Sequence, residues 1–566
     1  MRTLRIVLAL AFVSTSSNAA EPPRMLLAVG DSLGHGTMDA TNNAWATKNA
    51  FLGRIYYSLR TVKGIYFSQP FYDYSETRIR PYSIPTNLAV DGADVFSIDG
   101  LEYGKRVGSE VNLVSSSLLA DHSLPEQFTD DYDKVLFPTN LLAGRPMSQV
   151  DSAIWLIDQW APQLRIDKAL CVIWIGNNES SSAALGRGGA HPMFLPLPLY
   201  HIAPEVEPIL FWLMFFGAVS GEVSFWPYTG AAIQRNMTDL DDYIAQYDAV
   251  LSRMQAETAS SGVEVDYLLL TLPYYSAVGY LFDAEDLEFY LRKIDPGYSV
   301  PASFARVKPG EPLTGDRISL LTFGFMYALM SSGYSTGYVN SILDISGLQQ
   351  DGLVLSEAEQ QVIMTRIDEY NDAIRALAAS HGESMHVVEV GEFLNAGLLG
   401  DIQIRVNGRA LNRKWVRGGG LSLDGVHPNP TGQSLIANYV LSHLKRELGI
   451  SAPLYNLSKV GASDPYRDKD GDGWAPGPPW SASGITELLH LFRDPNDSSA
   501  AVGVDLPDDV WDRISAVLLD QVLDVPAIRG QAARMKVVAP RFPEERLISE
   551  PISSIGRDGR APRTYR

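Results

Sequence analysis

Short apolar runs recur along the chain at 25–29, 169–175, 265–272 and 387–390, and a further strand candidate at 87–90 begins on Asn87. Each run ends in glycine, proline or a polar cluster, which is the pattern of strands buried in a sheet. Between them, apolar residues recur at three- and four-residue intervals. Phe51, Leu52, Ile55, Tyr56 and Leu59 form one such stripe, and Ile363, Ile367, Tyr370, Ile374 and Leu377 another. The spacing predicts helices over 49–60 and 356–382, with others over 132–164, 238–259 and 433–448. Ser356 and Glu359 make a capping box before the longest of them, and Thr238 to Asp241 a similar start at 238. Strand alternating with helix predicts an α/β core of three layers, α/β/α. Its sheet should be mostly parallel, with about five strands and helices on both faces.

Two stretches break this alternation. Residues 180–237 carry a dense aromatic segment, including Phe211, Trp212, Phe215, Phe216, Phe225 and Trp226. It is too short to span a bilayer and reads either as packing against the core, or as a lid or wall of an apolar substrate cleft, or as a transient membrane-surface contact. Residues 274–352 form a second insertion. Asn407-Gly408 marks a hairpin turn. After Gly449 the composition changes: 451–482 is rich in Asp, Gly and Pro and reads as a linker, and 483–566 as a small helical region.

At the start, Arg2 and Arg5 precede an apolar run from Ile6 to Val13 and a small-residue site at Ser17-Asn18-Ala19. This reads as a cleaved export signal over 1–19, placing the main domain (20–450) in the periplasm or outside the cell. The net charge of −20 argues against a nucleic-acid partner. Cys171 is the only cysteine, so no intrachain disulfide can form. It sits in an apolar run and reads as a core residue.

Chemistry-bearing residues gather where the strands end. Ser32 follows the first run, in Gly30-Asp31-Ser32-Leu33-Gly34. A strand-then-turn context exposes a hydroxyl, which needs a base before it can attack an acyl carbon. Gly92 lies just past the second run and Gly176-Asn177-Asn178-Glu179 closes the third. Late in the chain, Asp424-Gly425-Val426-His427-Pro428 pairs an acid with a histidine three residues on. None of the other histidines has an acid at this spacing in a Gly/Pro-rich loop after a strand, although His35 lies beside Ser32 and could line a cleft.

These four blocks, in this order, resemble the GDSL or SGNH hydrolase family. Glu179 stands where that family usually has Asp. The resemblance covers about 24–448 without accounting for the two insertions. It implies a flavodoxin-like sheet and a catalytic triad of Ser32, His427 and Asp424. It also implies an oxyanion hole made by the N–H groups of Ser32 and Gly92 and the amide of Asn178. Hydrolysis would require no cofactor. Gly333-Tyr334-Ser335-Thr336-Gly337 also fits a Gly-x-Ser-x-Gly elbow, but lacks a clean strand before it and a clean helix after it.

Asp468, Asp470 and Asp472 match the first half of a calcium loop, Asp-x-Asp-x-Asp-Gly, while Pro479 stands where an EF-hand needs its Glu. A structural Ca²⁺ is thus a weak candidate beside a solvated acidic segment. Together the sequence predicts an exported esterase or lipase acting on small-molecule or lipid esters. A carbohydrate O-acetyl esterase and a non-catalytic lipid- or membrane-binding protein are the alternatives. The oligomeric state is not legible.

Overall fold

The computed structural model describes residues 22–478, apart from 40, 63, 74–76, 107–116, 186–229, 332–334, 341–342, 344–353 and 476. The export signal, the aromatic run of the first insertion and the C-terminal helical region lie outside the described residues.

Four parallel strands form the central sheet: β1 (Met25–Gly30), β2 (Lys168–Trp174), β3 (Glu264–Leu270) and β4 (Met385–Val388), side by side in that order. β1 is buried at every position, and β2 and β3 at every position but their first. Successive strand side chains point to opposite faces, so both faces of the sheet are covered. Cys171 is fully buried in β2, where the absence of water pushes its thiol pKa up.

The predicted strand at 87–90 does not form as a regular strand. The segment follows the outer edge of β1 through Leu88 N–H to Ala28 O (2.8 Å) and Val90 N–H to Gly30 O (3.1 Å). Pro85 lies just before it, and the Asn87 carboxamide accepts from Ala89 N–H at 3.3 Å. Pro85 has no N–H to give, and the N–H groups of Thr86 and Asn87 both donate to Ser68 O, so the segment pairs with β1 only over this short stretch. Four strands plus this irregular edge therefore stand where about five were expected.

The helices that matter for the site are α1 (Ser32–His35), α2 (Phe51–Leu59), α3 (Gln149–Trp155), α4 (Asn178–Ala184), α5 (Leu240–Thr258), α6 (Glu357–His381) and α7 (Pro430–Glu447). α2 packs on α7, and α5 on α6. The Ser356–Glu359 capping box of α6 forms as its spacing predicts. At α5 the cap is Asp239, which accepts from Asp241 N–H, and Thr238 serves another purpose described below. The stretch 132–164 is mostly helical, as its pattern predicts, in several pieces broken where Pro138 and Gly144 interrupt it. Asn407 and Gly408 form the expected hairpin turn, both with positive φ, between Arg405–Val406 and Arg409–Ala410.

The stretch that reads as a linker by composition is packed onto the domain over residues 451–475. Asn438 and Tyr455 exchange hydrogen bonds at 2.9 and 2.7 Å, and the Arg54 guanidinium lies 5.1 Å from the Tyr455 ring centre. Trp474 packs within 6 Å, centre to centre, of Tyr290, Trp415 and Tyr327. The second insertion supplies much of this aromatic cluster, with Phe282 stacked on Phe323 at 4.5 Å. Composition misleads here because a few large aromatics among the Asp and Gly residues supply enough buried area to fix the segment. Among the described residues, no helix is long and apolar enough to cross a membrane.

Candidate active site

The parallel register opposes Gly30 to Trp174, so the polar residues after β1 and β2 emerge at the same edge of the sheet. Gly30 is required at this point, because a Cβ there would stand 2.4 Å from the Trp174 carbonyl oxygen. The Gln149 carboxamide binds both backbone groups of Gly30, accepting from N–H and donating to C=O at 3.0 Å each. The chain then turns into α1. Asp31 caps it by accepting from Leu33 N–H at 3.0 Å, and Ser32 occupies the first helical position. A residue there has no intrahelical acceptor for its N–H.

Ser32 Oγ lies 2.9 Å from His427 Nε2, and His427 Nδ1 lies 2.8 Å from Asp424 Oδ2. Asp424 is buried, and its other oxygen accepts from Val426 N–H, His427 N–H and Ser422 Oγ–H at 2.8 to 2.9 Å. The loop is closed by Ser422 N–H donating to His427 C=O at 2.8 Å. Ser32 retains only 8% of its surface. Burial alone would lower the pKa of the His427 ring, but the adjacent Asp424 carboxylate outweighs it and raises the ring above its ordinary value. For Asp424, burial pushes upward and the imidazolium with the three donors pulls harder, so the carboxyl ends below its usual range. The carboxyls of Asp31 and Asp91, when ionised, push the ring in the same upward direction.

The other blocks are tied to this line by hydrogen bonds. Asn87 Nδ2 donates to Gly34 O at 2.9 Å, and His35 Nδ1 donates to Ala89 O at 3.0 Å. Asn177 Nδ2 donates to Asp31 Oδ2 at 2.8 Å, and Asn178 Nδ2 to Ala93 O at 2.9 Å. That last bond uses one of the two amide hydrogens of Asn178 and places the residue beside the Gly92 turn. Gly92 adopts φ +74°, a conformation that favours glycine. Thus Ser32, His427 and Asp424 form one hydrogen-bonded line, and Gly92 and Asn178 are held in a neighbouring loop pair.

His35 does not line a cleft. It is buried with its ring 5.1 Å from that of Tyr72, and it ties α1 to the 87–90 edge. Ser335 is exposed, and its Oγ accepts from Tyr338 N–H at 3.3 Å at the start of a short helix. Asp468, Asp470 and Asp472 bring one carboxylate oxygen each within 4.8 Å of the others. Both Asp468 oxygens already accept backbone N–H groups, from Gly471 and Gly473.

Sequence reasoning missed the scaffold behind these groups. Glu179 is buried, accepts from Val95 N–H at 2.6 Å, and pairs with Arg106 at 2.9 Å. The same guanidinium pairs with Asp94 at 2.6 Å and donates to Thr238 Oγ1 at 2.7 Å, and Thr238 also bonds Glu179. Burial pushes the Glu179 carboxyl up to about 7, Asp94 adds to this and Arg106 opposes it. Burial likewise pushes Asp31 up to about 7, against the Asn177 and Leu33 donors. Tyr275, at the base of the second insertion, donates its hydroxyl to Asn177 O at 2.6 Å. Within the sequence, only the position of Glu179 inside a motif hinted at such a role.

No protein-family model matches this chain, and no curated protein matches it either.

Proposed function

We propose that this protein is an exported serine hydrolase of GDSL/SGNH type, on a three-layer flavodoxin-like core, that cleaves carboxylic esters through an acyl-enzyme. The observation that carries the proposal is the unbroken line Ser32 Oγ, His427, Asp424, with contacts of 2.9 and 2.8 Å. His427 Nε2 takes the Ser32 proton as Oγ bonds to the acyl carbon. Asp424 holds Nδ1 protonated, so that Nε2 faces the serine as an acceptor, and it stabilises the imidazolium that forms. The Ser32 and Gly92 N–H groups and the Asn178 amide would receive the oxyanion, each such donor being worth about 3 kcal/mol. The imidazolium then returns its proton to the leaving alkoxide. Water repeats the sequence on the acyl-enzyme, and the acid leaves. Side chains supply every proton transfer in this scheme, and any Ca²⁺ at Asp468, Asp470 and Asp472 would act on structure.

Nitrophenyl esters of increasing chain length test both chemistry and substrate. The expected profile favours medium or long acyl chains, on account of the aromatic segment at 195–228. An optimum at acetate would instead favour the O-acetyl esterase reading. Ser32→Ala should abolish hydrolysis and labelling by a fluorophosphonate probe. Persistent hydrolysis in Ser32→Ala overturns the assignment, and failure of the wild-type chain to label points to a non-catalytic binding protein.

A further inference from the structure

The catalytic acid and base sit on a loop with little regular structure, so something must hold that loop against the nucleophile. The bonds that do so come from outside it. Asp39, four residues after α1, is buried with φ +56°. Its Oδ1 accepts from Leu423 N–H at 2.7 Å, and its own N–H donates to Ser422 Oγ at 3.1 Å. That hydroxyl in turn donates to Asp424 Oδ1 at 2.8 Å. The second Asp39 oxygen accepts from Tyr466 Oη–H at 2.8 Å.

Tyr466 lies in the segment beyond α7 and is itself fixed. Its N–H donates to Asp464, whose other oxygen accepts both Thr431 N–H and Thr431 Oγ1–H in the first turn of α7. A second route reaches the same peptide. Trp474 packs against Trp415, and Trp415 Nε1–H donates to Leu423 O at 2.7 Å. The residue immediately before Asp424 is therefore gripped at N–H by Asp39 and at C=O by Trp415, and each gripping residue contacts residues 464–475.

The geometry points to Tyr466 and Asp39 as positioning residues for the reaction: the segment after α7 belongs to the catalytic architecture and sets the aim of Asp424 on His427. The inference rests on the hydrolase reading above. A phenol donating to one oxygen of Asp39 leaves the other facing Leu423 N–H. Without that donor the carboxylate can rotate, and Leu423 N–H, in the peptide beside Asp424, loses its fixed acceptor. Chain order hides this, because Asp39 and Tyr466 are separated by almost the whole domain.

Steady-state kinetics of Tyr466→Phe and Asp39→Asn on a nitrophenyl ester, with pH profiles and thermal unfolding, test the inference. Both variants should show kcat lowered about 5- to 20-fold with KM changed less than twofold. The acid limb of kcat/KM should move to lower pH as Asp424 holds His427 less well. The double variant should lose no more than the worse single one, since both act on the same Tyr466–Asp39 contact. If Tyr466→Phe does not fold, Asp39→Asn alone carries the comparison. A folded variant with wild-type kcat and an unmoved acid limb overturns the inference even if its melting temperature falls, as does an additive loss in the double variant. An inert Ser32→Ala alongside such a result leaves the hydrolase reading standing, whereas an active one removes its basis.

Discussion

A histidine serves as general base only in its neutral form, so the group that makes His427 strongly basic also sets the pH at which it works. Asp424 raises the ring above its ordinary value near 6.5 in spite of burial. The acid limb of kcat/KM should therefore lie above 6.5, with activity rising as pH climbs through it. Asp424→Asn removes the charge and the preference for the Nδ1 tautomer. It should move the limb downward and lower kcat by roughly 10³- to 10⁴-fold. A rate flat from pH 5 to 8 in the wild-type protein would remove His427 from the proposed role. The three residues of this line were legible because each sits in a short motif. Ser422 and Asp39 were not, because a serine or aspartate in a loop carries no periodicity and no characteristic spacing.

Among the elements, the strand ends set where the chemistry sits, but a buried ion cluster sets how the loops face each other. Arg106 joins Asp94, next to the Gly92 turn, to Glu179, next to Asn178. Its guanidinium is almost wholly inaccessible, so Arg106→Ala would leave two buried carboxylates without their cation. That change should cost about 3–5 kcal/mol of stability, read as a fall in the urea midpoint, with activity lost even in the folded fraction. Retention of full activity would show that the two loops find their positions without it. The presence of Glu where the family usually has Asp gave no sign that the side chain of Glu179 reaches Val95 and Thr238. The parallel strands of the sheet followed from the alternation of apolar runs. The irregular edge at 87–90 did not, since the donation of Thr86 and Asn87 N–H to Ser68 O is a long-range contact that a hydropathy pattern does not show. The packing of 451–475 was hidden for a related reason: its anchors, Tyr455, Tyr466 and Trp474, are widely spaced in a polar stretch.

Across the whole molecule, stability and activity should respond to pH in opposite directions. Burial raises the carboxyls of Asp31 and Glu179 to about 7 and that of Asp464 to about 6, above their unfolded values near 4. A group whose folded pKa is raised contributes stability that is fully present below its unfolded pKa and lost as pH rises through the folded one. His427 has the same sign, starting from 6.5. The lowered acids, Asp424 and Asp283, lose their contribution only as pH falls toward and below 4, outside this window. Unfolding free energy should thus decline between pH 5 and 8, less steeply below about 6.5, where the buried imidazoles of His35 and His443, lowered by burial, act in the other direction. Asp31 alone accounts for roughly 2–3 kcal/mol, at about 1.4 kcal/mol per pKa unit. Self-repulsion of the −20 net charge acts in the same direction, but the two contributions separate with salt. Repulsion between exposed charges is screened at about 0.5 M salt, whereas the deprotonation of a buried carboxyl is not. Urea midpoints measured at pH 5, 6, 7 and 8 should keep most of their decline at high salt, and Asp31→Asn should flatten it. A decline that vanishes on adding salt would assign the whole effect to surface charge. The pH that frees His427 to accept a proton also strips protons from the groups around Ser32, so under the proposed function activity would rise as the fold loses stability.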